Sequence, residues 1–298
     1  MPFARHSIVN RVIFSSTESN MHAMEKILFI FLLSLVGNIT AQEGFVFSGK
    51  IVGDNGTPVE YATIGFPGKN IGSFTATDGT FALHIPAGFS DTLHISHVSY
   101  KTVKVATMLL PQCDTVITMR AKALHEVVVY DGEKRRATLA GNGMHIPGAA
   151  TMWSVVNIGC EIGSVIETDK VFEVREIKFK VRSNNIHGAK FSVNIYKTDE
   201  ASSEFHNTLC TPVYIDIPVN ESKQEINIEL DESILVEQGR YFVSIKFVDY
   251  DRSAPGSEAG RIYFPLYLKK SYIRNGIMDT PESIAVNMGL AVKGYEYR

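Results

Sequence analysis

The sequence predicts an all-β protein built of two β-sandwiches. Strand-sized apolar alternation recurs roughly every eight to twelve residues, clusters of Gly, Pro, Asn and Asp punctuate it, and no long helical period interrupts it. The length of 298 residues supplies enough chain for two domains. Hydrophobic residues make up 45% and charged residues 20%, which excludes disordered and collagen-like classes. A net charge of −3 gives no basic field for nucleic acid, so no nucleic-acid partner is expected. Three cysteines are too few for a disulfide scaffold or a four-cysteine zinc site.

The first element is a targeting segment. Ile27–Val36 is an apolar run whose only polar residue is Ser34, with Met24-Glu25-Lys26 before it and Ala41 closing the small-residue stretch after it. A charged start, an apolar run and a small-residue end make a secretory signal over 24–41, cut before Gln42. The run is half the roughly 20 residues a spanning helix needs, so no transmembrane anchor is expected in the mature chain. Residues 1–23 read as an upstream extension.

Strands follow in order. Phe45–Val52 is extended and Asp54-Asn55-Gly56-Thr57-Pro58 turns it. Ala62–Phe66 alternates and ends at Pro67-Gly68-Lys69-Asn70. Asp78-Gly79 is a hairpin signal before Phe81, Leu83 and Ile85, which alternate with Ala82 and His84. Leu93 and Ile95, then Lys101–Thr107, then Asp114–Met119 complete the first set.

Several motifs occur in a fixed order: Gly49-Lys50-Ile51-Val52, Gly56-Thr57-Pro58-Val59, Ala62-Thr63-Ile64, Thr77-Asp78-Gly79-Thr80-Phe81-Ala82-Leu83 and Leu93-His94-Ile95-Ser96-His97-Val98-Ser99-Tyr100. In this order they resemble the carboxypeptidase regulatory-like domain, with Ser99 standing where that family usually has Gly. The resemblance implies a transthyretin-like seven-stranded sandwich over 42–130, without catalysis of its own. Such domains are common at the front of exported Bacteroidetes proteins, including outer-membrane receptors for nutrient uptake. Leu124–Val129 looks like the segment that joins the domain to a receptor plug, but the chain that follows is too short for plug and barrel.

Residues 131–150 are rich in Gly, small residues and charge, which reads as a linker. Beyond it, period-two alternation returns around Ile177, Phe191, Val213, Ile226 and Tyr241. Half-buried strands in this number predict a second sandwich over 151–298, with a jelly-roll-like layout. Cys160 and Cys210 fall in that domain and are the likelier pair if one disulfide forms; three free thiols is the alternative.

Catalytic and metal motifs fail on inspection. His125-Glu126 lacks the second histidine of a zincin, because Val129 stands there. His94 and His97 are three apart on a strand and point to opposite faces. His84 and His94 fit cross-strand neighbours on one hairpin. Asp249-Tyr250-Asp251 lacks the ligand spacing of a calcium loop. Lys178, Lys180 and Arg182 form a basic row, tempered by Glu173 and Glu176, that reads as a solvated face or as a contact for an acidic glycan. No catalytic residue, metal or cofactor is expected. Seven of the twelve tyrosines follow residue 240; exposed tyrosines suit sugar stacking, and buried tyrosines closing the sandwich are the other reading. Tyr250, Asp251, Tyr263 and Tyr267, expected in loops at one end of the second sandwich, are the candidate ligand contacts.

The function that follows is a non-enzymatic exported binding or adhesion module of the cell envelope, with carbohydrate binding as one form of it. Its place is the periplasm, the outer-membrane surface or the outside of the cell. Its partner is an envelope protein or a glycan. A structural accessory subunit docking on an outer-membrane complex is the alternative, and a hydrolase fragment a weaker one.

Overall fold

A computed structural model describes residues 44–110, 115–123, 132–141, 143–199 and 204–298. The expected signal segment, Cys113, the Leu124–Val129 segment and its zincin-like pair lie outside the described residues. Twenty strands and three short 3-10 turns make up the described chain, which contains no α-helix. No helix among the described residues is long and apolar enough to cross a membrane.

The first sandwich has seven strands: β1 (Phe45–Gly53), β2 (Thr63–Phe66), β3 (Ile71–Phe74), β4 (Thr80–Ile85), β5 (Thr92–His97), β6 (Tyr100–Ala106) and β7 (Thr115–Met119). One sheet runs β4-β1-β7 and the other β3-β2-β5-β6. The β4 alternation of Phe81, Leu83 and Ile85 inward against Thr80, Ala82 and His84 outward is regular. Phe47, Ile51, Ile64, Phe66, Leu93 and Ile95 complete a closed core. Asp78 accepts from the Thr80 amide at 2.9 Å, and Gly79, at φ 80°, carries the left-handed turn. His84 and His94 sit in different sheets, so the cross-strand pairing expected of them is not made.

The second sandwich begins earlier than its alternation suggested. β8 (Lys134–Ala140) and β9 (Met144–Ser154) occupy the stretch expected as a linker. β8 pairs with β20 (Ala291–Tyr297), and β9 pairs with β18 (Arg261–Arg274). The Lys134-Arg135-Arg136 charge run belongs to an edge strand, where charged side chains are ordinary, and this made a strand look like a solvated connector. The remaining strands are β10 (Glu161–Thr168), β11 (Phe172–Val181), β12 (Ser183–Asn184), β13 (Ala189–Thr198), β14 (Phe205–Asn207), β15 (Val213–Ile217), β16 (Gln224–Val236), β17 (Gly239–Asp249) and β19 (Glu282–Asn287). A nine-stranded sheet centred on β18, β10, β17 and β13 faces a four-stranded sheet ordered β16-β11-β20-β8. Phe179, Phe191, Phe247, Phe264 and Trp153 fill the space between them. Each large apolar side chain buried there contributes roughly 1.5–3 kcal/mol.

The sandwiches touch directly. The Tyr214 hydroxyl on β15 donates to the Glu60 carbonyl at 3.3 Å, and the Tyr61 and Tyr214 rings meet edge to face at 4.9 Å. The Gly68 amide donates to the Met278 carbonyl at 3.2 Å. Gly72 lets the two sandwiches come close here: a Cβ there would lie 3.1 Å from the Ile277 side chain, which would have to shift by a few tenths of an ångström.

Cys160 and Cys210 are both free thiols. They flank β10 and β14, three steps apart across the sheet. At about 4.8 Å per step, that separation exceeds the roughly 7 Å limit for a disulfide. The Cys160 thiol donates instead to the Asn275 carbonyl at 3.1 Å.

Candidate functional site

The four-stranded sheet turns one face to the core and the other outward. On the outward face, β8, β11 and β20 form a groove of about 750 Å³ lined by Arg136, Thr138, Arg175, Glu176, Lys293 and Tyr295. Strand register places Tyr295 between Arg136 and Glu173, and Lys293 between Thr138 and Glu176. A β-bulge at Arg175 shapes the site. The pairing of β11 slips between Val174 and Glu176 on both neighbours. Phe172 and Val174 therefore enter the core on even numbers, and Ile177, Phe179 and Val181 on odd ones. The extra residue puts Glu173, Arg175 and Glu176 together on the outward side, the re-aiming that bulges produce.

Glu173 organises the floor, with 3% of its side chain exposed. One carboxylate oxygen accepts from Lys134 Nζ at 2.8 Å and from the Tyr297 hydroxyl at 2.8 Å; the other pairs with the Arg175 guanidinium. Burial pushes this carboxyl up, but hydrogen bonds from Lys134, Tyr297 and Arg175 outweigh it and hold it down at about 2. Glu173 is thus ionised at neutral pH and fixes three side chains. Lys134 Nζ also lies 5.1 Å from the Tyr297 ring centre and 6.0 Å from that of Tyr295, over the aromatic faces. Lys293 bridges to Glu176 at 2.6 Å. Arg136 is exposed and has no side-chain partner among the described residues. The result is an aromatic ring flanked by cationic side chains, of which Lys134, Arg175 and Lys293 are paired with carboxylates and Arg136 is exposed.

A second polar cluster is internal. Glu161, fully buried, accepts from Asn194 at 2.9 Å and Ser244 at 2.7 Å, and pairs with Arg274 at 3.0 Å. Burial pushes its carboxyl up, but Lys246 and Arg274 outweigh that and hold it below the usual range. The cluster ties β10, β13, β17 and β18 together.

The four tyrosine-loop candidates are not assembled at a loop end. Tyr250 packs against the core and under the Arg252 guanidinium at 4.8 Å. Asp251 accepts from the Ser253 amide and hydroxyl, at 2.9 and 2.6 Å, in a local turn. Tyr263 and Tyr267 lie within β18, not in loops. Tyr267 meets His145 edge to face at 5.2 Å and sits over Gly289. Of the basic row, Lys178 pairs with Glu225 at 3.7 Å and Arg182 donates to the Gly148 carbonyl at 3.0 Å. Asp249 pairs with Arg252 at 2.7 Å, and no cluster of metal-ligating residues occurs among the described residues. The groove residues missed in the sequence had a signal. Lys293, Tyr295 and Tyr297 alternate with Gly294 and Glu296 at the period of a strand.

The described chain is a seven-stranded sandwich followed by a second sandwich that carries the groove. Residues 47–129 match the CarboxypepD_reg-like domain, and the described strands there form the transthyretin-like seven-stranded sandwich. No curated protein matches the chain. Among solved structures, the chain is similar to a family two carbohydrate esterase from Cellvibrio japonicus at 10% identity, over 56% of this chain and 36% of that one, with a TM-score of 0.22. It is similar to an infectious bursal disease virus structure at 8% identity, over 87% and 63%, with a TM-score of 0.26. It is also similar to carbohydrate-binding modules from the β-sandwich superfamily at 10% identity, over 81% and 97%, with a TM-score of 0.19. The chain thus spans about a third of the esterase and under two thirds of the viral protein.

Proposed function

We propose that this chain is an exported, non-enzymatic binding or adhesion module of the cell envelope that holds a glycan in the groove of its second sandwich. The observation that carries this is the Tyr295 ring set among the Arg136, Arg175 and Lys293 donors in one groove. A ring supplies the apolar face a sugar stacks on, and donors at its rim bond the hydroxyls. What favours the groove is that its residues share one lining, whereas Tyr250 and Asp251 lie at the end of β17 and Tyr263 and Tyr267 lie within β18, with Tyr250 and Tyr267 packed against protein. Export to the periplasm, outer-membrane surface or cell exterior is supported by the Ile27–Val36 run. The proposal includes a jelly-roll-like layout for the second sandwich, supported by antiparallel neighbours far apart in sequence, such as β8 with β20 and β9 with β18.

Affinity electrophoresis of the full chain through gels containing neutral and acidic polysaccharides tests the reading. The wild type is expected to be retarded by at least one, and Tyr295→Ala to lose most of that retardation with its thermal midpoint nearly unchanged. Free migration of the wild type in every gel would sink the glycan reading.

The second reading, an accessory subunit docking on an outer-membrane complex, is supported by the exposed apolar side chains Met108, Leu109 and Val116 on the first sandwich. Leu109→Lys would then release the chain from the outer-membrane fraction, whereas Tyr295→Ala would leave it bound.

A further inference from the structure

Resting on the glycan reading, we infer that the groove selects polysaccharides bearing carboxylates over neutral ones, with Arg136 as the free charge that meets them. The lining holds three cations, Arg136, Arg175 and Lys293, against one carboxylate, Glu176, on a chain whose net charge is −3. The groove is a basic island on an acidic protein. The ionised Glu173 offsets one charge, but it also holds Lys134, so counting both leaves four cations, Arg136, Arg175, Lys293 and Lys134, against two carboxylates, Glu173 and Glu176. The guanidinium of Arg175 remains half exposed, so its outer donors still face the groove. Arg136 has no partner to give up among the described residues. An arginine fork matches a carboxylate with two parallel bonds, which a neutral hydroxyl cannot reproduce.

Strand topology separates a saccharide from an acidic peptide. The groove lies over β8, β11 and β20; β11 and β20 are paired on both sides, and only β8 has a free backbone edge. A peptide that added as a strand would pair at that edge, in the plane of the sheet, and would leave the outward face to side chains. On that face recognition falls to side chains alone, the Tyr295 ring among them.

The test compares retention of the full chain by polygalacturonate, by the same polymer fully methyl-esterified, and by polyglutamate. Retention by polygalacturonate at least tenfold stronger than by the ester or the polypeptide supports the inference. Arg136→Gln should then weaken it about tenfold and flatten its salt dependence, with an unchanged thermal midpoint because that side chain bonds nothing. Equal retention by acid and ester overturns the carboxylate inference and leaves the glycan reading standing. Equal retention by polyglutamate overturns the saccharide part. No retention by any polysaccharide overturns both.

Discussion

A carboxylate surrounded by three donors and closed from water stays charged far into acid, and Glu173 is held at about 2 against an ordinary 4.5. Between those values the unfolded chain binds the proton and the folded chain does not. Its contribution is therefore present above pH 4.5 and is lost as pH falls toward 2. Glu173→Gln should cost about 1–2 kcal/mol at pH 7, in the lower range for charged hydrogen bonds because Lys134 and Arg175 are about half exposed. The difference in thermal midpoint from wild type should shrink at pH 3; an equal difference at both pH values would refute this role. Tyr267 gives a second check at the same scale. Its ring lies 2.3 Å from where a Cβ on Gly289 would sit, so ring and glycine are fitted to each other. Tyr267→Ala should lower the thermal midpoint by several degrees through lost packing, and an unchanged midpoint would return the ring to the list of free ligand contacts.

Strands in the first sandwich were legible because their alternation is regular and their turns carry Asp-Gly and Asn-Gly signals, as at Asp78-Gly79. The groove was hidden for two physical reasons at the level of elements. The bulge in β11 shifts the inward phase from Phe172 and Val174 to Ile177 and Phe179, so no single alternation covers the strand. β8 turns only Ala137 and Leu139 toward the core and opens on three consecutive charges, which imitates a linker. Glu173 and Glu176 were visible in sequence, but only pairing shows that one is a buried floor and the other a rim. The element-level consequence concerns protease. Lys134, Arg135 and Arg136 are held in ladder with Tyr297, Glu296 and Tyr295, and a paired strand does not fit a protease cleft. Among the described residues, brief trypsin treatment should cut first after Arg252, in the exposed turn beyond β17, and leave β8 intact. Early cleavage at 134–136 with release of two folded fragments would restore the linker.

Across the whole molecule, the contact between the sandwiches contains a titratable group in a fixed state. His97 Nδ1 accepts from the Ser99 amide at 3.2 Å, so the proton of the neutral ring is on Nε2, which faces the Tyr214 hydroxyl at 3.4 Å. Tyr214 in turn donates to the Glu60 carbonyl, linking the second sandwich to the first through one chain of bonds. Burial first, then the Lys122 charge, push His97 down to about 4 from an ordinary 6.5, and burial first pushes Tyr61, whose ring meets that of Tyr214, up to about 12. A proton on Nδ1 would remove the acceptor that Ser99 uses. Below pH 6.5 the unfolded chain takes up this proton while the folded chain resists it until about pH 4. The stabilisation is complete above 6.5 and is lost as pH falls through that window, by at most about 3 kcal/mol. His97→Gln keeps a side chain that can bond Tyr214 but cannot titrate. Thermal midpoints measured from pH 7 to pH 4 should fall more steeply for wild type than for His97→Gln. Parallel curves would show that the contact is indifferent to this histidine's charge, and that acid acts on the molecule elsewhere.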